Sequence, residues 1–176
     1  MLGNILIYEF VIVFAVSFLF VYNLTPFIIK LALKINFVDN PSARKMHKKV
    51  VPLMGGLSVF LGFFLVVLFE TAIQPYQNFD LRLLGYLGAG FLIMLVGLVD
   101  DKSPIKPKIK FIWQIIVCLI FLYTNNLLYL LGPWWITVPV LMLWMIGLMN
   151  AFNFLDNMDG ILAGMSGILA LGFYAV

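Results

Sequence analysis

The chain has 176 residues, of which 64% are hydrophobic and 11% are charged, and its formal net charge is +3. About a quarter of the residues in soluble domains are charged, so this chain has too few charges to cover a soluble protein of its length. The composition therefore predicts an all-α fold, a polytopic transmembrane helix bundle. We treat residues 1–176 as one integral membrane domain, because no linker, repeat or low-complexity tract divides them.

Long apolar runs recur along the chain, and about 20 apolar residues suffice for a helix to cross a bilayer. The runs are Ile5–Ile29, Met54–Ile73, Leu83–Val99, Phe111–Tyr123, Trp134–Ala151 and Ile161–Val176. The fourth is short, and we expect it to begin at Pro107, since proline suits a first helical turn. Unbroken apolar runs differ from the alternating pattern of a β-barrel. The sequence predicts five complete helices and a sixth that is cut short.

The first run is predicted to stay in the protein. No lysine or arginine precedes it, it is longer than the apolar core of a signal peptide, and no small-residue cleavage site ends it. Cys118, the only cysteine, lies in the fourth helix, so no disulfide can form within the chain.

Positive charge gathers in alternate connections between the helices. The connection after the first helix holds Lys30, Lys34, Arg44, Lys45, Lys48 and Lys49, and that after the third holds Lys102, Lys106, Lys108 and Lys110. Only Arg82 lies in the other connections. Because short cytoplasmic loops are enriched in lysine and arginine, we expect the N-terminus outside. The connections after helices one, three and five then lie on the cytoplasmic face of the plasma (inner) membrane.

The first polar segment on that face extends from Asp39 to Gly56. It is basic, contains the only histidine, His47, and ends in the glycine pair Gly55-Gly56. Glycines let a backbone approach a ligand or a neighbouring helix, and helix N-termini attract anions. The alternative is a basic loop that touches lipid headgroups, and composition by itself favours that alternative.

The second polar segment contains Asp100 and Asp101, at the end of the third helix. Acids at membrane helices are costly and tend to be functional, and paired carboxylates suit divalent cations or proton transfer. Adjacent helical residues point about 100° apart, so the two should have different roles. Alternatively, they only balance the lysines that follow.

The third polar segment is a series with a spacing of three residues. Its members are Asn150, Asn153, Asp156 and Asp159. This spacing drifts by about 60° per step on an α-helix, so a straight helix would turn one member toward lipid. We therefore expect the helix to end or break here, with the polar groups around a ligand such as Mg²⁺, a base or a ribose. The alternative is a polar turn in which Gly160 and Gly164 pack against another helix.

Four sequence features carry a resemblance to a known family. They are Pro41 followed by Arg44-Lys45-x-His47, Pro52-x-Met-Gly-Gly, Asp100-Asp101-Lys102, and Asn150-Ala-x-Asn153-x-x-Asp156-x-x-Asp159-Gly160. In these features the chain resembles the polyprenyl-phosphate N-acetylhexosamine-1-phosphate transferases, glycosyltransferase family 4. It is more similar to the N-acetylglucosamine-1-phosphate branch, of the teichoic acid or O-antigen (lipopolysaccharide) type, than to the peptidoglycan branch.

The resemblance implies an activity and its partners. The enzyme would transfer a sugar-1-phosphate, expected to be N-acetylglucosamine-1-phosphate, from a UDP-sugar to undecaprenyl phosphate and release UMP. The product would be the lipid-linked precursor of a cell-envelope polysaccharide. The implied cofactor is Mg²⁺, with Mn²⁺ as an alternative. The lipid bilayer is a partner, no nucleic acid is expected, and a homodimer is an open alternative.

The resemblance also implies roles for individual residues. Asp100 and Asp101 would be the catalytic pair, near the lipid phosphate and the metal, and Asn153 would help to hold Mg²⁺. The implied substrate-binding residues are Asn150, Asn153, Asp156, Asp159, Lys45, His47 and Lys48, the last three as contacts to phosphates.

The chain departs from the family pattern in two ways. Leu53 stands where the family commonly has arginine or threonine. The family also has about ten helices, with a metal-binding aspartate and a histidine-bearing loop in the second half, neither of which is in this sequence. The sequence is then a fragment, or a truncated gene product, or a chain that has lost the activity. We expect it to be inactive by itself.

Two other functions remain open at this point. A cation or proton transporter could use acids and amides as a pathway, although the acids here lie at helix ends and not at mid-span. A structural membrane subunit would need no polar clusters on one face. Binding of a UDP-sugar separates the enzyme from both.

The lysine distribution predicts which face each connection occupies. On a Cys118→Ser background, a single cysteine at Lys48 or Lys106 should resist membrane-impermeant thiol reagents in intact cells, whereas one at Asn78 should be labelled. The reverse labelling pattern would contradict the orientation.

Overall fold

The computed structural model describes residues 2–39, 50–73, 81–156 and 160–174. The elements are α1 (Leu2–Lys34), β1 (Val38–Asp39), β2 (Val51–Pro52), α2 (Gly55–Ile73), α3 (Leu81–Lys102), α4 (Pro107–Thr124), α5 (Trp134–Leu155) and α6 (Ile161–Tyr174). The predicted all-α bundle with six helices is confirmed, and α4 begins at Pro107 as expected.

Four helices in the described part of the chain are long and apolar enough to cross a membrane. These spans are Val11–Lys34, Leu81–Lys102, Pro107–Thr124 and Trp134–Leu155. Shorter apolar stretches lie in α2 (Gly55–Phe69) and in α6 (Ile161–Gly172). Many large apolar side chains on the spans are exposed, which suits a surface that faces lipid. The chain is a multi-pass membrane protein.

The chain divides into two compact units, Met1–Trp113 and Gln114–Val176. In the first unit, α1 packs on the start of α2. Its core contains Ile28, Ala32 and Met54, with Phe37 and Leu98 packed against them. The end of α1, the start of α2 and part of α3 therefore share one small apolar core, just below the polar end of α3.

A short antiparallel hairpin, not predicted from the sequence, connects α1 to α2. Val38 pairs with Pro52 and Asp39 pairs with Val51, and the Leu53 N–H donates to the Phe37 carbonyl at 3.3 Å. The hairpin holds together the two ends of the basic segment. Residues 40–49, which include most of that segment, lie outside the described residues.

In the second unit, a buried threonine orders the connection between α4 and α5. The Thr137 hydroxyl donates to the Gly132 carbonyl at 3.1 Å and accepts from the Leu131 N–H at 3.2 Å. Gly132 has a φ of 122°, a conformation that suits glycine.

The far end of α5 falls inside the polar series. The helix ends at Leu155, and the Asp156 N–H bonds back to the Phe152 carbonyl. Gly160, with a φ of 76°, precedes α6. The expectation that the helix ends within the Asn150–Asp159 series is confirmed.

The close approach of α1 and α2 depends on Gly62. An added Cβ at Gly62 would clash with Cγ2 of Val21, and a β-branched side chain in a helix is held in one rotamer. We expect overpacking to lower the stability of Gly62→Ala by about 1–3 kcal/mol relative to a glycine-to-alanine change at an open helical position. Thermal unfolding in detergent micelles, followed by tryptophan fluorescence, measures this change.

The matched control is Gly88→Ala in α3, where an added Cβ would meet no described atom within 4 Å. Both variants gain the same helix propensity, about 1 kcal/mol. A Gly62→Ala protein as stable as Gly88→Ala would contradict this account of α1–α2 packing.

Candidate functional site

At the end of α3, Asp100 is held by two contacts within the first unit. Its Oδ2 lies 2.7 Å from the Lys110 ammonium, and the two side chains are each 22% exposed. Its Oδ1 accepts the Ile105 N–H at 2.9 Å. Each carboxylate oxygen therefore has one partner, and the pair ties the start of α4 to the end of α3 across the connection of residues 103–106.

Asp101, the next residue, has a different environment. It is exposed, whereas Asp100 is only partly exposed. The ammonium of Lys102 lies 5.4 Å from the centroid of the Phe37 ring, a cation–π contact that connects the end of α3 to the segment after α1. The two acids thus differ in their surroundings, as adjacent positions on a helix should.

Near the end of α5, Asn150 forms a reciprocal amide pair with Gln114 of α4. The Gln114 Nε2 donates to the Asn150 Oδ1 at 3.2 Å, and the Asn150 Nδ2 donates to the Gln114 Oε1 at 3.1 Å. The Asn150 Nδ2 also donates to the Ile146 carbonyl at 2.8 Å. Gln114 is 3% exposed, whereas Asn150 is exposed. One end of the pair is therefore packed and the other is accessible.

Asn153 and Asp156 occupy the last turn of α5 and its C-terminal cap, and both are exposed. Positions three apart on a helix are neighbours, so the two residues lie close together at the end of α5. Mg²⁺ is coordinated by hard oxygen ligands such as amide and carboxylate oxygens. In proteins it is commonly held by one or two carboxylates together with substrate phosphates. The described residues contain no group of three or more His, Cys, Asp or Glu side chains placed to hold a metal. The donors fit Mg²⁺ in kind but form only part of a coordination shell.

Four of the predicted site residues, Lys45, His47, Lys48 and Asp159, lie outside the described residues. Two residues that sequence reasoning did not single out are the partners Lys110 and Gln114. Gln114 could have been noticed as an uncharged polar residue inside an apolar run. Nothing local to the sequence distinguishes Lys110 from the neighbouring lysines.

Comparisons with known proteins identify a family that matches part of the chain. The profile of the family described as Glycosyl transferase family 4 matches residues 83–176, which include α3 from its third residue, α4 to α6 and both polar helix ends. No solved structure was found to match the chain.

Relatives with curated names match most of the chain. A probable undecaprenyl-phosphate N-acetylglucosaminyl 1-phosphate transferase of Bacillus subtilis is 35% identical over 94% of this chain and 47% of its own length. The undecaprenyl-phosphate alpha-N-acetylglucosaminyl 1-phosphate transferase of Yersinia pestis is 35% identical over 89% of this chain and 42% of its own length. The protein of the same name in Escherichia coli is 33% identical over 85% of this chain and 42% of its own length.

The chain spans less than half the length of these curated relatives. The family profile nevertheless covers more than half of the chain, and it includes both acids of α3 and the amide and acid series of α5. The chain belongs to glycosyl transferase family 4.

Proposed function

We propose that this chain forms part of an enzyme that transfers N-acetylglucosamine-1-phosphate from its UDP donor to undecaprenyl phosphate. The observation that carries the proposal is the family match over residues 83–176, because that range contains the polar ends of α3 and α5. The names of the relatives specify N-acetylglucosaminyl 1-phosphate and undecaprenyl phosphate for those proteins, which supports the choice of sugar and lipid.

In the proposed reaction, an oxygen of the lipid phosphate attacks the phosphorus that carries the sugar. A new P–O bond forms, and the bond from that phosphorus to the bridging oxygen breaks. UMP leaves with the bridging oxygen, and the sugar is left on a lipid-linked diphosphate. The protein has to position two anionic phosphates in line and neutralise charge on their oxygens.

The geometry suggests separate tasks for the two acids of α3. Asp100, bonded to Lys110 and to the Ile105 N–H, would fix the connection between α3 and α4 and hold the lysine ammonium in place. Asp101, exposed at the same helix end, would act near the lipid phosphate, through a cation bound with it.

The remaining predicted residues would bind the nucleotide sugar. Asn153 and Asp156 would offer oxygen ligands to Mg²⁺, with Mn²⁺ as the alternative. The metal, when bound, would neutralise charge on phosphate oxygens as a Lewis acid. Asn150 and Asp159 would line the nucleotide pocket, and Lys45, His47 and Lys48 would contact phosphates.

The cellular setting is also proposed. The lysine asymmetry supports a plasma-membrane location with the active face cytoplasmic. The product would start a cell-envelope polysaccharide such as teichoic acid, O-antigen or lipopolysaccharide. The comparisons give no support to a transporter or a structural subunit.

Transfer of labelled N-acetylglucosamine phosphate from its UDP donor to undecaprenyl phosphate tests the proposal. We expect no transfer by the 176-residue chain alone, because Mg²⁺ favours octahedral oxygen coordination and the described ligand set is partial. We expect Mg²⁺-dependent transfer when the chain is combined with the second half of the Bacillus subtilis relative. Robust transfer by the purified short chain would contradict the view of an incomplete site.

Single substitutions separate the two acids. Asp101→Asn should abolish most transfer, because Asp101 is exposed and is proposed to act at the phosphate. Asp100→Asn should lower both the transfer rate and the thermal stability, since a half-buried charge-assisted pair contributes about 1–3 kcal/mol. Lys110→Met should reproduce the stability loss of Asp100→Asn. The measurements are initial rates in the two-part preparation and melting temperatures in micelles.

The matched control for Lys110→Met is Lys108→Met, which removes a lysine from the same turn of α4. Lys108 is exposed, so its variant should keep the parental melting temperature. Equal melting temperatures for Lys108→Met and Lys110→Met would refute the role of the Asp100–Lys110 pair. Parental transfer rates in both Asp→Asn variants would remove the acids from the mechanism.

A further inference from the structure

Gln114 lies inside the apolar span of α4, and it is nearly fully buried. An amide in such a helix is costly unless its groups are hydrogen-bonded, and hydrogen bonds between helices can supply the partners. Its partner in the structure is Asn150, 36 residues away on α5. The pair is therefore a specific contact of α4 with α5 and not a local feature of one helix.

The Ile146 carbonyl fixes which way both amides point. A carbonyl oxygen can only accept, so the Asn150 group that lies 2.8 Å from it must be the Nδ2 donor. The Asn150 Oδ1 must therefore face Gln114, and the Gln114 Nε2 donates to it. The bond to one backbone carbonyl thus identifies the nitrogen and the oxygen of both amides, and the two bonds to Gln114 hold Asn150 in that orientation.

The hydrogen-bonding capacity of Asn150 is almost used up by these contacts. A side-chain amide has two N–H donors and an oxygen with two lone pairs. Both donors are taken, one by Ile146 and one by Gln114, and one lone pair of Oδ1 accepts from Gln114. A single lone pair on Oδ1 remains, on a residue that is exposed.

We propose that Gln114 is a positioning residue that turns Asn150 so that only its carbonyl oxygen is offered to a ligand. The inference rests on the proposed function, in which Asn150 lines the nucleotide pocket. Asn150 then contacts an electropositive group, either a divalent cation or an N–H or O–H donor of the nucleotide. It does not donate to a phosphate oxygen.

The rival explanation is that the pair only fastens α4 to α5. Gln114→Leu keeps a side chain of similar size but removes both interhelical bonds, so the Asn150 amide is held only by its single bond to the Ile146 carbonyl. Positioning predicts that this variant loses ligand affinity by about tenfold, the effect of one hydrogen bond in an oriented site. Fastening predicts a lower melting temperature with unchanged affinity in the protein that remains folded.

Asn125→Leu is the matched control for a lost buried amide. Asn125 follows the other end of α4, is 8% exposed, and bonds to the Phe121 carbonyl and the Thr124 hydroxyl. Its replacement should lower the melting temperature and leave ligand affinity unchanged.

An exchange of the two amides, Gln114→Asn with Asn150→Gln, separates the explanations further. The summed side-chain length is kept, so the interhelical pair can re-form, but the oxygen on α5 moves by about one carbon–carbon bond, 1.5 Å. Positioning predicts a restored melting temperature with affinity still reduced. If the melting temperature and the ligand affinity are both restored, the pair only fastens α4 to α5 and the proposal is overturned.

Binding is measured in the two-part preparation with three probes: UDP-N-acetylglucosamine with Mg²⁺, Mn²⁺ without nucleotide, and UMP in EDTA. An effect of Gln114→Leu on Mn²⁺ identifies a cation on Oδ1, and an effect on UMP identifies a nucleotide donor. If the wild-type protein binds the probes and Gln114→Leu binds all three with the same affinity, this inference alone is overturned. Absence of wild-type binding to the UDP-sugar overturns the proposed function and this inference with it.

Discussion

A bilayer offers no water to polar groups, so each polar group inside a span has to find its partner in the protein. The described helices follow this constraint. In α1, Asn23 and Thr25 donate to the Leu19 and Val21 carbonyls, and in the second unit Gln114 bonds to Asn150. Ser58, whose buried hydroxyl has no partner among the described residues, is the exception.

The same constraint shapes the candidate site. Because charge is tolerated at the ends of spans and not at their centres, the acids gather where α3 and α5 end. At the end of α3, one carboxylate is bonded to a lysine and a backbone N–H while its neighbour is exposed. Asp100 and Asp101 are adjacent and chemically identical, yet their different surroundings give them different physical properties.

At the end of α5, the same side chain belongs both to an interhelical contact and to the polar series. Asn150 contributes to the interhelical pair through its buried partner Gln114, and it is itself exposed. The helix ends at Leu155, before the polar series is complete. A buried amide on α4 thus holds the amide of an exposed residue in one orientation.

The sequence by itself determined the elements. Apolar runs of spanning length, Pro107 at a helix start and the three-residue polar series at a helix end predicted the six helices and the break in α5, because these signals are local. It also singled out Asp100 and Asn150. Only the tertiary structure decided that their partners are Lys110 and Gln114, ten and 36 residues away, and that a hairpin closes the basic segment. Such pairings depend on how helices and strands meet, and no local pattern encodes which side chains then face each other.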